Sequence, residues 1–215
     1  EMLSVAVGGM DSYDFHALET IQCMAERRAG GETGVAAVQG LKGEDVWQAM
    51  DAGCWSAGGW DPALFEACLT RSQTLAQPET YSHRYPTSSQ MREWVEEPIA
   101  YRIEYIDGMK ATMLMMNGLV GDFTVAARIK GQAAPLSTLF YLPPVPNVAY
   151  SAELMAKAEA TFMTGKSPCP LERTLLTTGL VEACVQSVGK GQARIETPHL
   201  AIEYAVSPES TWARD

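Results

Sequence analysis

Ile99–Asn117 reads I-A-Y-R-I-E-Y-I-D-G-M-K-A-T-M-L-M-M-N, and its pattern decides what kind of fold the chain can adopt. Tyr101, Ile103 and Tyr105 alternate with Arg102 and Glu104, the period of a half-buried strand. Asp107-Gly108 is the dipeptide favoured in a two-residue hairpin turn. The return, Met109–Asn117, is apolar on both faces near its centre, which predicts a central strand covered on both sides. Two more strands are expected downstream, over Asp122–Lys130 and Leu136–Leu142. Pro143-Pro144-Val145-Pro146 then ends the meander, which spans about 96–145, because proline cannot donate to a ladder.

Outward from this sheet the pattern turns helical. Upstream, Leu3–Val7 reads as a short strand ending at Gly8-Gly9. Phe15, Leu18, Ile21, Met24 and Ala25 then form a helical stripe, with His16, Glu19, Cys23 and Glu26 beside it. Arg27-Arg28 and Gly30-Gly31 close that helix. Val35–Leu41 is a strand, Glu44–Ala52 a helix, and Asp61-Pro62 caps a third helix running to Thr70. Gln73–Ser89 reads as a polar surface loop that includes His83. Downstream, Ser151 caps a helix over Ala152–Thr164, a long helix spans Leu171–Val188, and Ala193–Glu196 is an edge strand before a solvated tail from Ser207. Helices, then an antiparallel meander, then helices predict one α+β domain over residues 1–215, with an open, mainly antiparallel sheet and helices packed on one face. The opposite face, carrying Tyr101 and Tyr105 or their neighbours, would be covered by a partner, so a homo-oligomer is expected.

The 215 residues, 47% hydrophobic, suffice for one substantial core. A net charge of -10 argues against nucleic acid and anionic membrane as partners, and no apolar run reaches the roughly 20 residues of a membrane helix. Five widely spaced cysteines without a C-x-x-C fit reduced thiols in the cytoplasm. Glu1 followed at once by a strand suggests a chain that begins in mid-fold.

The chemistry-bearing residues gather around the first helix. His16 and Glu19 are three apart and share a helical face, an arrangement suited to a proton relay on a substrate hydroxyl. Asp14 adds a carboxylate and Tyr13 a donor; Arg27 and Arg28 could grip a substrate's carboxylate or hydroxyls. The plainer alternatives are that Asp14 caps the helix, His16 and Glu19 make structural hydrogen bonds, and the arginines cap the C-terminus. Glu172-Arg173 reads as helix-end electrostatics with an ion pair. A metal site from His16, Glu19 and Cys23 is compatible with the spacing, but no second histidine cluster accompanies it. No G-x-G-x-x-G, P-loop or G-x-S-x-G occurs, so the chain alone is not expected to hold a dinucleotide.

The run G-G-M-D-S-Y-D-F-H-A-L-E-T-I-Q resembles the segment of the glucose–fructose oxidoreductase/inositol dehydrogenase (Gfo/Idh/MocA) family that carries G-x-H-x-x-D. His16 falls on the histidine, Glu19 on the final acid and Asp14 on the glycine. P-L-E-R-T-L-L-T-T-G-L-V-E-A-C-V-Q-S-V-G-K-G is similar to the family's last helix, and Y-D-F-H-A-L-E with E-R-T-L-L-T-T-G resembles a bacterial subgroup. The resemblance covers nearly the whole chain but only the C-terminal half of the family's architecture, without the N-terminal Rossmann domain that binds NAD or NADP. It implies a dihydrodipicolinate-reductase-like C-terminal domain whose open sheet forms the oligomer interface. His16 would relay a proton from a sugar or polyol, Glu19 would orient it, and Tyr13, Asp14, Arg27 and Arg28 would contact the substrate. The family's E-K-P lysine has no counterpart here. Two rivals stand beside this expectation: a non-catalytic module for sheet-mediated assembly or polyol binding, and a hydrolase or lyase using His16 and Glu19 without a nicotinamide.

Overall fold

The computed structural model describes residues 1–79, 84–142 and 149–206. Seven strands form one open sheet: β1 (Met2–Ala6), β2 (Val35–Lys42), β3 (Ile99–Tyr105), β4 (Lys110–Met115), β5 (Phe123–Ala127), β6 (Leu136–Phe140) and β7 (Ile195–Glu196). Their order across the sheet is β6-β5-β1-β4-β3-β2-β7. All neighbouring pairs are antiparallel except β1 with β4. The α+β class and the open, mainly antiparallel sheet are therefore as the sequence predicts.

Two expectations need correction. The meander is not continuous: β3 and β4 form the Asp107-Gly108 hairpin, but β1 is inserted between β4 and β5. Helices also cover both faces of the sheet, not one. On one side α1 (Asp14–Ala25) and α6 (Leu171–Gly189) lay Ala17, Leu18, Ile21, Leu176 and Leu180 over Tyr101, Ile103, Tyr105, Met113 and Met115. On the other, α2 (Glu44–Ala52), α3 (Pro62–Leu69) and α4 (Ser88–Trp94) lay Val46, Trp47, Leu64, Phe65 and Met91 over Leu3, Val5, Ala100, Leu114 and Met116. Tyr101 and Tyr105 are thus sealed under the chain's own helices, and the sheet face proposed for self-association does not exist. The reason is visible in β4: with Met113 facing one core and Leu114 the other, both sides need a cover, at about 1.5–3 kcal/mol for each such side chain buried.

Local signals place most elements. Asp61 Oδ1 accepts the Ala63 amide at 2.8 Å and Pro62 opens α3, as expected. The polar stretch after Gln73 hides a capping box, Thr87 with Gln90, which starts α4 where a loop was predicted. The helix α5 (Ala149–Thr164) begins earlier than the Ser151 cap implied. His83, the proline run at 143–146 and the tail from Ser207 lie outside the described residues. Among the described residues α5 makes no extended contact with another helix or strand, and it exposes Leu154, Met155, Phe162 and Met163.

The turn from β4 towards β5 depends on one glycine. Gly118 has φ +93, and a Cβ there would stand 2.1 Å from the Trp94 carbonyl oxygen. Gly118→Ala is expected to lower stability by more than about 1 kcal/mol, read from the urea midpoint, because both the conformation and the space are lost.

All five cysteines are free thiols. Exposed Cys54 accepts help from the Ser56 hydroxyl, which pulls its thiol below the usual value. Burial pushes the Cys68 thiol up to about 12 and raises Cys184 as well. Limited iodoacetamide near neutral pH should therefore modify Cys54 well before Cys68 or Cys184, as peptide mass spectrometry would show.

Candidate functional site

Between β1 and α1 the chain must turn from sheet to helix within Val7–Tyr13, and three contacts fix that turn. Asn117 holds Gly8 from both sides, its Oδ1 accepting the Gly8 amide at 2.7 Å and its Nδ2 donating to the Gly8 carbonyl at 2.8 Å. Gly8 has φ +122, and a Cβ there would fall 2.1 Å from Tyr13 Cβ, so only glycine lets Tyr13 fold back over the turn. Asp14, fully buried, then gathers the turn around its carboxylate. It accepts the amides of Asp11 (2.9 Å), Ser12 (2.9 Å) and Phe15 (3.0 Å) and the Tyr101 hydroxyl (2.8 Å). Burial, then the Asp14 charge, raise the Tyr101 phenol far above its ordinary value, keeping it a donor.

This frame presents Tyr13 and His16 to solvent. Their rings meet edge-on at 5.6 Å, and Phe15 lies edge-on to His16 at 5.9 Å. Both line a cavity of about 470 Å³ whose other walls are Thr20, Phe123, Phe140, Tyr141 and Leu142. Thr20 turns its hydroxyl inward, to the Ala17 carbonyl at 2.7 Å and Ser4 at 3.1 Å. Among the described residues the Tyr13 hydroxyl and the His16 imidazole make no hydrogen bond or ion pair, so with the Tyr141 hydroxyl they are polar groups the cleft can offer.

The other residues singled out in the sequence are committed elsewhere. Glu19 does not orient His16; it pairs with Arg173 of α6 at 2.8 Å. Asp14 serves the turn and does not reach the cleft as a substrate ligand. Arg28 binds Asp107 at 2.7 Å and Glu32 at 3.2 Å and lies over the Tyr105 ring at 4.7 Å. Arg27 is exposed just past the C-terminal end of α1, whereas His16 lies in its first turn. The arginine grip expected for the substrate is therefore not assembled at the His16 cleft.

What these residues build instead is a buried polar network. Gln22 donates to Glu32 and to the Tyr204 hydroxyl (2.6 Å) and accepts from Tyr105 (3.1 Å). Tyr204 donates to Glu26 at 3.0 Å. Arg173 bridges Glu19 and Glu26, with its Nε 3.0 Å from Glu26 as an ion pair without a directed hydrogen bond. Cys23 sits beside it, its thiol pushed up by burial. Among the described residues no cluster of His, Cys, Asp or Glu could hold a metal, so His16, Glu19 and Cys23 do not form one.

A nicotinamide dinucleotide has no cradle at this turn either. The strand–Gly-Gly–helix order superficially suits a pyrophosphate, but the amides it would need already bond Asp14, whose carboxylate would repel it. The walls Phe123, Phe140, Tyr141 and Leu142 carried no signal in the sequence. They reach the cleft only because β5 lies beside β1 in the sheet.

Comparison of the chain with protein-family models, with curated proteins and with solved structures gives no match. Among the described residues no helix is long and apolar enough to cross a membrane.

Proposed function

We propose that this chain is the substrate-binding part of an NAD(P)-dependent oxidoreductase acting on a sugar or cyclitol-like polyol in the cytoplasm. The observation that carries the proposal is the cleft itself: an uncommitted imidazole and phenol in a cavity of about 470 Å³ walled by aromatic rings. Ring faces suit the apolar face of a polyol, and His16 and Tyr13 suit its hydroxyls. In this reading His16 takes the hydroxyl proton as that carbon is oxidised. The hydride acceptor, NAD or NADP, belongs to a Rossmann domain outside these residues. The exposed apolar strip of α5 with Leu171 and Leu175 is assigned to that domain. Homo-oligomer formation remains part of the proposal, through a surface other than the sheet face. Five free thiols agree with a reducing compartment.

The rival, a non-catalytic polyol-binding module, gains support from one contact. Glu19 is spent on Arg173, which leaves His16 without the carboxylate a relay would use. The proposal is tested by titrating the chain with myo-inositol and D-glucose while following the His16 and Tyr13 ring resonances. Saturable shifts confined to the cleft support it, and no shift with either polyol contradicts it. Tight quenching of NADH by this chain alone would overturn the assignment of the cofactor to another domain.

A further inference from the structure

Gln39, Arg102 and Thr112 form one cross-strand row over β2, β3 and β4. Tyr101 and Ile103 face α1 and α6, so Arg102 leaves the sheet on the opposite side, away from the His16 cleft. Its guanidinium lies over the Trp55 ring at 4.1 Å, donates to Gln39 Oε1 at 2.8 Å and donates to the Trp55 carbonyl at 2.8 Å. That engages two of its five N–H groups, and Nε is buried with no acceptor.

Arg102 also lacks a counterion. Arg28, Arg92, Arg128, Arg173 and Arg194 each hold a carboxylate, whereas among the described residues none lies within ion-pair distance of Arg102. Glu104, on the same strand face, is taken by Lys110 at 3.0 Å and Arg194 at 2.8 Å. Burial lowers Arg102 below the usual arginine value, the mark of a desolvated cation. Next to it in the row, the fully buried Thr112 hydroxyl has no partner either.

A cavity of about 370 Å³ opens beside this row, between α2, the Trp55–Ala57 turn and the Gly191–Gln192 turn, with Arg102, Gln39, Gln48, Gln192 and Asp45 in its lining. Gln192 is one of two non-glycine residues with positive φ among those described, at +65. Its side-chain amide is locked there, accepting the Lys42 amide at 2.7 Å and donating to Asp45. Strain of this kind concentrates at binding sites.

We infer that this cavity binds a small carboxylate anion. A planar carboxylate matches the guanidinium fork and supplies the missing counterion. Gln48 offers its amide to hydroxyl or carbonyl groups on the ligand body, Gln39 being held by Arg102 and by the Gln192 carbonyl at 3.1 Å, and Asp45 in the lining disfavours dianions by like charge.

The test uses the full chain with acetate, lactate, succinate and inorganic phosphate at constant ionic strength, following the Arg102 Nε–H resonance and the thermal midpoint. Lactate or acetate should shift that resonance saturably and raise the midpoint, with the dianions succinate and phosphate weaker. Arg102→Met should abolish the midpoint response, and Arg102→Lys, which keeps the charge but not the fork, should weaken binding at least tenfold. The inference is overturned if no carboxylate moves the wild-type resonance, if phosphate alone does, or if Arg102→Met keeps the response.

Discussion

Glu32→Ala should cost the fold about 3–5 kcal/mol, the loss typical of removing one partner from a buried ion pair. The side chain of Glu32 is fully buried and accepts from Gln22, from the amides of Thr33 (2.9 Å) and Gly34 (2.8 Å), and from Arg28 at 3.2 Å. Alanine strands all of these donors at once. Arg28 would keep Asp107 at 2.7 Å, but Gln22 and with it the Tyr105 and Tyr204 hydroxyls would lose their organising acceptor. Glu32→Gln keeps the shape and one acceptor oxygen, so it should lose distinctly less. Equilibrium urea unfolding followed by tryptophan fluorescence measures both. A loss under about 1 kcal/mol for Glu32→Ala would show that the network is not what joins the tip of the hairpin, the start of β2 and the C-terminal segment to α1.

Asp14→Ala is the second large effect, and it couples stability to the cleft. Three backbone amides and the Tyr101 hydroxyl converge on the Asp14 carboxylate. At about 1–3 kcal/mol for each buried donor left unpaired, partly relieved by water reaching the turn, a total of about 3 kcal/mol or more is expected. The turn carrying Tyr13 would also lose its frame, so the Tyr13–His16 edge contact should disappear from ring-to-ring nuclear Overhauser effects. Tyr101→Phe leaves the three amides bonded. It should cost only about 1 kcal/mol and keep that contact. If Asp14→Ala matched Tyr101→Phe in both readouts, the turn would be held by Asn117 and Gly8 alone.

These two residues also show how far the sequence could be read. The Ile99–Asn117 hairpin, the α1 stripe and the Asp61-Pro62 cap are local patterns, and local patterns survive into the structure. The insertion of β1 between β4 and β5 is a long-range pairing with no periodicity of its own, and the cleft walls from β5 and β6 depend on it. The second helical layer was foreshadowed by the doubly apolar β4, yet the order of elements alone suggested a one-sided cover. Glu19 stands three residues from His16 on α1, but that position also faces α6, and Glu19 pairs with the part-buried Arg173 guanidinium rather than with His16. Arg27 and Arg28 follow each other just past the end of α1, and Arg28 enters the network through Glu32 and Asp107.

We propose that the His16 imidazole recognises a polyol in the cleft between α1 and the β5–β6 edge. Isothermal titration of wild type and His16→Ala with myo-inositol and D-glucose tests it most directly, with urea midpoints as a check on folding. The account predicts saturable binding of at least one polyol by wild type, weakened tenfold or more in His16→Ala at an unchanged midpoint, since the imidazole is exposed and makes no hydrogen bond or ion pair among the described residues. Equal affinity in the two proteins, or heat of binding in neither, would contradict it.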